Sequence, residues 1–220
     1  MILAIYCAGA LGRVVYEDIR AMNDNRWERI IFVDDVIEKK QVNGAEVFRF
    51  EEVEQFRGNI EFVIANGEPV HRELLYKKIK KAGFPMRTVI LPQAKIGAGV
   101  KIGDGCFIGE SILTVDIKLG DNVFIQHKCI IEHDVKVGDH SLISAFCFAG
   151  GYTQIGNRVY IAPGSMVKDR LKVGDDSIIG LGAILIQNVD AKSIMAGNPA
   201  KEIGKNTEGR VFRLSHANKS

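Results

Sequence analysis

The sequence predicts an α/β unit with a small parallel sheet over residues 1–91, a triangular prism of short parallel strands over 92–190, and a loop and tail over 191–220. The first observation behind this is a six-residue period running from Ile96 to Val189. The second is the kind of residue that each place of the hexad holds. The third is strand–helix alternation upstream, which implies a parallel sheet.

Read in sixes from Leu119, the first place holds Leu119, Ile125, Ile131, Val137, Ile143, Ala149, Ile155, Ile161, Val167, Val173, Ile179 and Leu185. Only Ala149 lacks a large branched aliphatic. The fifth place is mostly small or β-branched, as at Val123, Cys129, Ser141, Thr153 and Ser177. Glycine recurs at the second place: Gly120, Gly138, Gly150, Gly156, Gly174 and Gly180. Further hexads open at Ile96, Ile102 and Ile108, with the register slipping by one residue between Thr114 and Leu119. A period of six suits neither a helix nor an alternating strand. It fits a chain wound so that each hexad makes one strand and one corner, three hexads make a coil, and residues 18 apart stack. About five coils at ~4.8 Å each give a prism roughly 25 Å tall. First- and fifth-place residues face inward, and glycine is expected where the backbone bends.

Composition bounds the partners. At 220 residues, 46% hydrophobic, 25% charged and net charge +2, the chain is ordinary for a globular protein. That balance gives no case for nucleic acid or a membrane surface as a main partner. No run of 18 apolar residues appears, and Met1–Tyr6 is too short for a secretory core, so a cytoplasmic location without membrane insertion is expected. The cysteines Cys7, Cys106, Cys129 and Cys147 show no CxxC and no zinc spacing. The last three fall at the inward fifth place and read as small core fillers, with Cys129 and Cys147 stacked.

In chain order, Ile2–Tyr6 reads as a strand, followed by the turn Cys7-Ala8-Gly9-Ala10-Leu11-Gly12-Arg13 and a helix to about Met22. Ile30–Val33 is a second strand ending in Asp34-Asp35. Val42–Val47 suggests a short hairpin or edge piece, and Phe50–Phe56 a short helix. Glu61–Ala65 is a third strand ending at Asn66-Gly67, with His71–Ala82 the helix after it. Thr88–Leu91 is a last strand before Pro92. The ends of these strands bring Gly9, Gly12, Asp34, Asp35, Asn66 and Gly67 together, where a Rossmann-like sheet holds a nucleotide and a helix N-terminus favours phosphate. The same glycines also suit a plain strand-to-helix turn, and the two aspartates a solvated turn start. Residues 191–201 read as a Gly/Pro-punctuated loop. The tail from Gly204 carries an apolar patch at Val211–Leu214 that would cap the last coil.

Histidine is the natural base at neutral pH. His133 occupies a third place and projects outward near a corner, with Asp134 next to it and Glu132 as a competing carboxylate. A carboxylate beside an imidazole fixes its tautomer and raises its basicity, as acyl transfer to an amine or hydroxyl requires. His127 and His140 lie nearby, and three histidines on a prism resemble the zinc site of γ-class carbonic anhydrases. The close pair there is five residues apart, whereas His127 and His133 are six apart, so no metal is expected. His71 and His216 read as solvated. Ser111, Ser141, Ser144 and Ser165 lack nucleophile-elbow context.

The hexads resemble the hexapeptide-repeat, left-handed β-helix acyltransferases. The two-part layout resembles one branch, the sialic acid O-acetyltransferases and nucleotide-linked 4-amino-sugar N-acetyltransferases. Its carriers are the Gly9/Gly12 turn, Phe32-Val33-Asp34-Asp35, Asn66 with Arg72, Glu132-His133-Asp134 with Val137-Gly138-Asp139, and Gly197-Asn198-Pro199-Ala200-Lys201. The resemblance implies a homotrimer with sites between neighbouring prisms, and acetyl-CoA as co-substrate lying along the coils. It implies His133 as base and Asp134 as its orienter. A nucleotide-linked amino sugar would be held by Gly9, Gly12, Arg13, Asp34, Asp35, Asn66 and Arg72. The donor would meet Leu142, Gly150, Gly151, Ala162, Gly180 and Pro199, with backbone N–H groups around Gly150-Gly151 receiving the oxyanion. The chain departs from the pattern at Cys7 and Ala10, where glycine is expected, at Leu11, where histidine is common, and at Leu142, nine residues after His133, where members often carry a second histidine. The expected activity is acetyl-CoA-dependent N-acetylation of a nucleotide-activated amino sugar in surface-glycan synthesis. Sugar O-acetylation and a non-catalytic sugar-nucleotide-binding homologue are the alternatives.

Overall fold

The computed structural model describes residues 1–22 and 24–212. Leu214 and His216, part of the expected cap and of the histidine set, lie outside the described residues. The N-terminal unit is β1 (Ile2–Tyr6), α1 (Ala10–Ala21), β2 (Arg29–Val33), β3 (Gln41–Val42), β4 (Ala45–Phe48), a 3-10 helix at Phe50–Phe56, β5 (Ile60–Ile64) and α2 (Pro69–Lys81). Its sheet runs β3-β4-β2-β1-β5, parallel except for the β3–β4 hairpin. α1 buries Gly12, Val15, Tyr16 and Ile19, one face at helical spacing. α2 starts on Pro69, whose missing N–H costs nothing in a first turn, and ends on Lys78, Lys80 and Lys81, which suit its carbonyl end.

β6 (Val89–Ile90) pairs in parallel with Phe107–Ile108, so the strand expected before Pro92 is the first rung of the prism. From there the chain is a left-handed parallel β-helix whose walls are three parallel sheets. One wall stacks the outward residues Phe107, Phe124, Leu142, Tyr160 and Ile178; they join Leu3, Ile5, Val15 and Tyr16 in a single core, so the N-terminal unit sits on this wall. A second wall carries Ile112, Ile130, Phe148 and Met166, and a third carries Lys101, Lys118, Lys136, Gln154 and Lys172. The interior packs the first- and fifth-place residues together, with Ile131, Val135, Ile161, Val167 and Ile179 at most 1% exposed.

Four details differ from the sequence expectation, each for a physical reason. The missing residue of the register lies between Ile108 and Leu113, since Leu113 is buried inward and Leu119 follows it by six. The corner is left-handed at the fourth place, not the second: Asn122, Lys128, Asp134, His140, Phe146 and Tyr152 all have φ near +60°, and none of these is glycine. The second-place glycines instead admit the next coil. A Cβ on Gly138 would lie 2.6 Å from the Gly156 carbonyl carbon and 2.7 Å from the Asn157 nitrogen. Finally, residues 191–201 are not simply loop. Ser193–Ala196 continues the covered wall, and Lys201–Lys205 returns antiparallel along it as the sheet's last strand. Val211 and Phe212 then run down the flank of the molecule instead of capping the prism end: their N–H groups donate to Glu68.

Ile155 is 3% exposed inside the prism. Ile155→Asp buries an unpaired carboxylate and should cost ~3 kcal/mol or more, read as a large drop in a urea or thermal midpoint. A midpoint equal to the parent's would mean that Ile155 faces solvent.

Candidate active site

His133 follows the strand Ile130–Ile131 and stands at the corner between the apolar and lysine-bearing walls. Its Nδ1 is 3.0 Å from Asp134 Oδ2. Asp134, not Glu132, is therefore the partner, because the left-handed φ of +60° at Asp134 turns its side chain back along the corner. A carboxylate there holds the proton on Nδ1 and leaves Nε2 as the basic nitrogen. One coil on, Tyr152 meets the imidazole edge-on at 5.1 Å, and Arg170 lies 4.6 Å from the Tyr152 ring centre. The side chain of His133 remains 45% exposed, so the imidazole is positioned yet reachable.

Gly151 sits directly against this ring. A Cβ there would come within 2.6 Å of Cε1 and 2.7 Å of Nε2 of His133, so only glycine permits the imidazole its place. The N–H of Gly150 is spent on Val167 O at 2.9 Å. The N–H of Gly151 has no partner among the described residues, which narrows the expected oxyanion donor from the pair to this one group.

The other expected donor contacts are scattered. Leu142 is 2% exposed and buried beneath the N-terminal unit, so its side chain is not available to a donor as the resemblance implied. Ala162 is 6% exposed in the same seam. Gly180 lies on the neighbouring corner, and Pro199 is exposed beyond the last coil. No groove on one chain holds all of them, since the corner of Ala162 and Gly180 is not the corner of Gly150 and Gly151.

At the sheet ends, the topology reverses between β1 and β5, the place where open α/β sheets form a crevice. Cys7, at φ +83°, takes there a backbone form that favours glycine, and Asn66 Nδ2 donates to its sulfur at 3.4 Å. Burial pushes the Cys7 thiol up to about 11. Gly9 is open to solvent, and a Cβ there meets nothing within 4 Å. Gly12 is different: its Cβ would strike Cys7 O at 2.0 Å, so it serves close helix–strand packing. Arg13 is exposed.

Of the residues expected to hold the acceptor, Asp34 and Arg72 are buried and bonded within the protein, while Asp35 is bonded yet still exposed. Asp34 is 8% exposed and accepts the N–H groups of Ala8, Val36 and Ile37, each at 2.9 Å. Asp35 accepts from Tyr6 Oη, Lys78 Nζ and the Phe50 N–H. Burial works to raise its pKa, and these donors outweigh it and hold the carboxyl low. Arg72 is fully buried and binds the carbonyls of Ile64 and Asn66 on its own unit and Asn122 O and Oδ1 on the prism, both at 2.6 Å. Burial pulls its guanidinium down to about 9.

His127 and His140 are structural. His127 Nε2 pairs with Asp18 Oδ2 at 3.0 Å and docks α1 on the prism. His140 is 7% exposed, contacts Asn122 Nδ2 at 3.1 Å and is held below its usual pKa by desolvation. A ladder escaped the sequence reading: Asp121, Asp139, Asn157 and Asp175, at 18-residue spacing, each accept a backbone N–H from the preceding coil. Their common interval was the signal.

Against known proteins, residues 2–79 match the family described as PglD N-terminal domain, and residues 79–167 that described as GMPPB C-terminal domain. The chain is 26% identical to a GDP-perosamine N-acetyltransferase of Escherichia coli O157:H7 over 215 residues, 90% of this chain and 95% of that protein. It is 32% identical over 108 residues, 47% of this chain, to the bifunctional protein GlmU of Heliobacterium modesticaldum, but spans only 20% of that protein. Among solved structures, a GDP-perosamine N-acetyltransferase variant from Caulobacter crescentus superposes with TM-score 0.86 at 22% identity, covering 93% and 98% of the two chains. The acetyltransferase domain of PglB from Neisseria gonorrhoeae FA1090 gives 0.71 at 21% identity, covering 92% and 99%.

Leu142→Ala opens a hole in the seam and should cost about 2–4 kcal/mol, while leaving coenzyme A affinity of the folded protein unchanged. A changed affinity at unchanged stability would put Leu142 in the donor site instead.

Proposed function

We propose that this member of the hexapeptide-repeat acyltransferases is an acetyl-CoA-dependent N-acetyltransferase of a nucleotide-linked amino sugar, working as a cytoplasmic homotrimer in surface-glycan synthesis. The observation that carries the reading is His133, fixed by Asp134 and packed against Gly151, whose N–H is unpaired among the described residues. The Escherichia coli GDP-perosamine N-acetyltransferase, matched along almost its whole length, supports an amine over a hydroxyl acceptor.

In the reaction, the neutral sugar amine attacks the thioester carbonyl, and His133 Nε2 takes the amine proton as the C–N bond forms. The carbonyl oxygen becomes an oxyanion and receives the Gly151 N–H. Collapse breaks the C–S bond, and the imidazolium returns its proton to the departing thiolate. Asp134 stabilises the imidazolium and keeps the ring in one orientation. Holding both substrates face to face supplies much of the rate.

The trimer reading rests on division of labour between corners. Gly150 and Gly151 lie on one, Ala162 and Gly180 on the next, so a donor touching both sets needs a second prism alongside. The exposed Ile112, Ile130 and Met166 offer that prism an apolar wall. On the N-terminal unit, the open Gly9 turn and Asn66 remain to meet the nucleotide, with Arg13 at the rim. Asp34 and Asp35 shape the crevice through their backbone bonds.

Thiol release from acetyl-CoA, followed against a panel of nucleotide-linked 4-amino sugars and free sialic acid, tests the reaction. Release is expected with an amino sugar. His133→Ala should lower kcat by about 10²–10⁴-fold in a protein that stays folded and trimeric. Gly151→Ala should do the same by displacing the ring. Near-full activity of His133→Ala would remove His133 as the base, and release only with sialic acid would move the acceptor from amine to hydroxyl.

A further inference from the structure

The tail after the last strand is fastened, and what it fastens over is the crevice end of the N-terminal unit. Asn206, 7% exposed, donates its backbone N–H to Lys192 O at 2.7 Å and its side-chain amide to Asp176 O at 2.8 Å; its Oδ1 accepts the Arg210 N–H. At the other end the Glu68 carboxylate receives the N–H groups of Val211 and Phe212 at 2.8 and 2.7 Å. Between these clasps Gly209, at φ +65°, lets the chain pass Val70 where a Cβ would sit 3.0 Å from Cγ2. Phe212 crosses Gly67 so closely that a Cβ there would lie 3.2 Å from its ring edge, and meets Tyr160 edge-on at 5.6 Å.

This strap walls a cavity of about 550 Å³ whose other side is Asn66, Gly67, His71 and Leu74. The volume lies within the range of small-ligand sites. Phe212 and Leu74 remain 56% and 58% exposed, two large apolar groups lining the concavity. Arg210 contributes a guanidinium without an acidic partner among the described residues. The acids nearby are Glu68, whose oxygens are taken by the strap, and Glu208, which is exposed on the rim. An aromatic face beside an uncompensated guanidinium suits a planar base joined to phosphate. Asn66 and Gly67 end β5, so the cavity continues the crevice between β1 and β5.

We propose that the strap of residues 206–212 is the outer wall of the acceptor's nucleotide site, with Phe212 packing on the base and Arg210 pairing with the diphosphate. This rests on the reading of the acceptor as a nucleotide-linked sugar. It adds recognition by a segment outside both the sheet and the prism.

Titration calorimetry of the full chain with GDP, UDP and their parent nucleosides tests it. Phe212→Ala should weaken nucleotide and nucleoside alike by tenfold or more, and Phe212→Trp should restore binding. Arg210→Gln should weaken only the phosphorylated ligands. Coenzyme A affinity and Tm should stay at parental values in all three variants. Unchanged nucleotide affinity in both Phe212→Ala and Arg210→Gln overturns the proposal, and tighter binding overturns it too, because the strap would then be a cover that the ligand displaces. Parental protein that transfers acetyl groups yet binds no nucleoside diphosphate also overturns it, and leaves the reaction class standing. Parental protein that binds nucleotide but transfers nothing would fault the reaction instead.

Discussion

The vertical hydrogen-bond ladder of the prism governs nearly every other feature. Each coil gives its N–H groups to carbonyls of the next, as Gly138 does to Ile155 and Glu132 to Ala149. Coils are thereby held one strand spacing apart, ~4.8 Å, and a residue's neighbours are fixed as those about 18 positions away. On the corner of Gly120, Gly138, Gly156 and Gly174, a Cβ would strike the next coil at that spacing, and glycine is used throughout. The carboxylate and amide side chains from Asp121 to Asp175 bond the N–H groups at one corner that the strand ladder does not reach. The same spacing lays Gly151 against His133, so the placing of this imidazole is set by the repeat and not by a loop of its own.

The outward sixth place decides what each wall does. On the covered wall it is Phe, Leu, Tyr or Ile, and burying this stack against β1 and α1 merges two sequence-distant units into one core. The seam then contains Arg72, whose charge has no carboxylate and is carried by four carbonyl-type oxygens and the face of Phe124 at 5.1 Å. Removing a partner from a buried charge is costly, so this contact resists any shift of the sheet unit relative to the prism. Leu142 belongs to the same stack. Its difference from the family pattern reflects the apolar demand of the seam.

Prism, sheet unit and the His133–Asp134 pair were readable because each is a local or strictly periodic signal. The aliphatic period could be counted, the strands upstream ended on turn residues, and the two catalytic candidates were adjacent in sequence. The failures came where geometry depends on partners far along the chain. Arg72 looks like a ligand residue until Asn122, fifty positions away, is seen to take its donors. Asp34 and Asp35 look free until Ala8, Lys78 and Phe50 are brought to them. The short hexad was misplaced by one corner because Leu113 and Thr114 both suit a strand, and only burial distinguishes them.

The three walls also bear on the proposed sharing of a site between prisms. The first is consumed by the sheet unit. The lysine wall places like charges on successive rungs, which is unfavourable between neighbours and keeps that surface in water. Only the apolar wall of Ile112, Ile130 and Met166 gains from being covered. It adjoins the corner of His133 on one edge and that of Gly164 and Gly182 on the other. In the proposed trimer, a copy that covers this wall would bring its own corner toward His133. The contact that removes apolar surface from water and the contact that encloses the proposed base would then be the same contact.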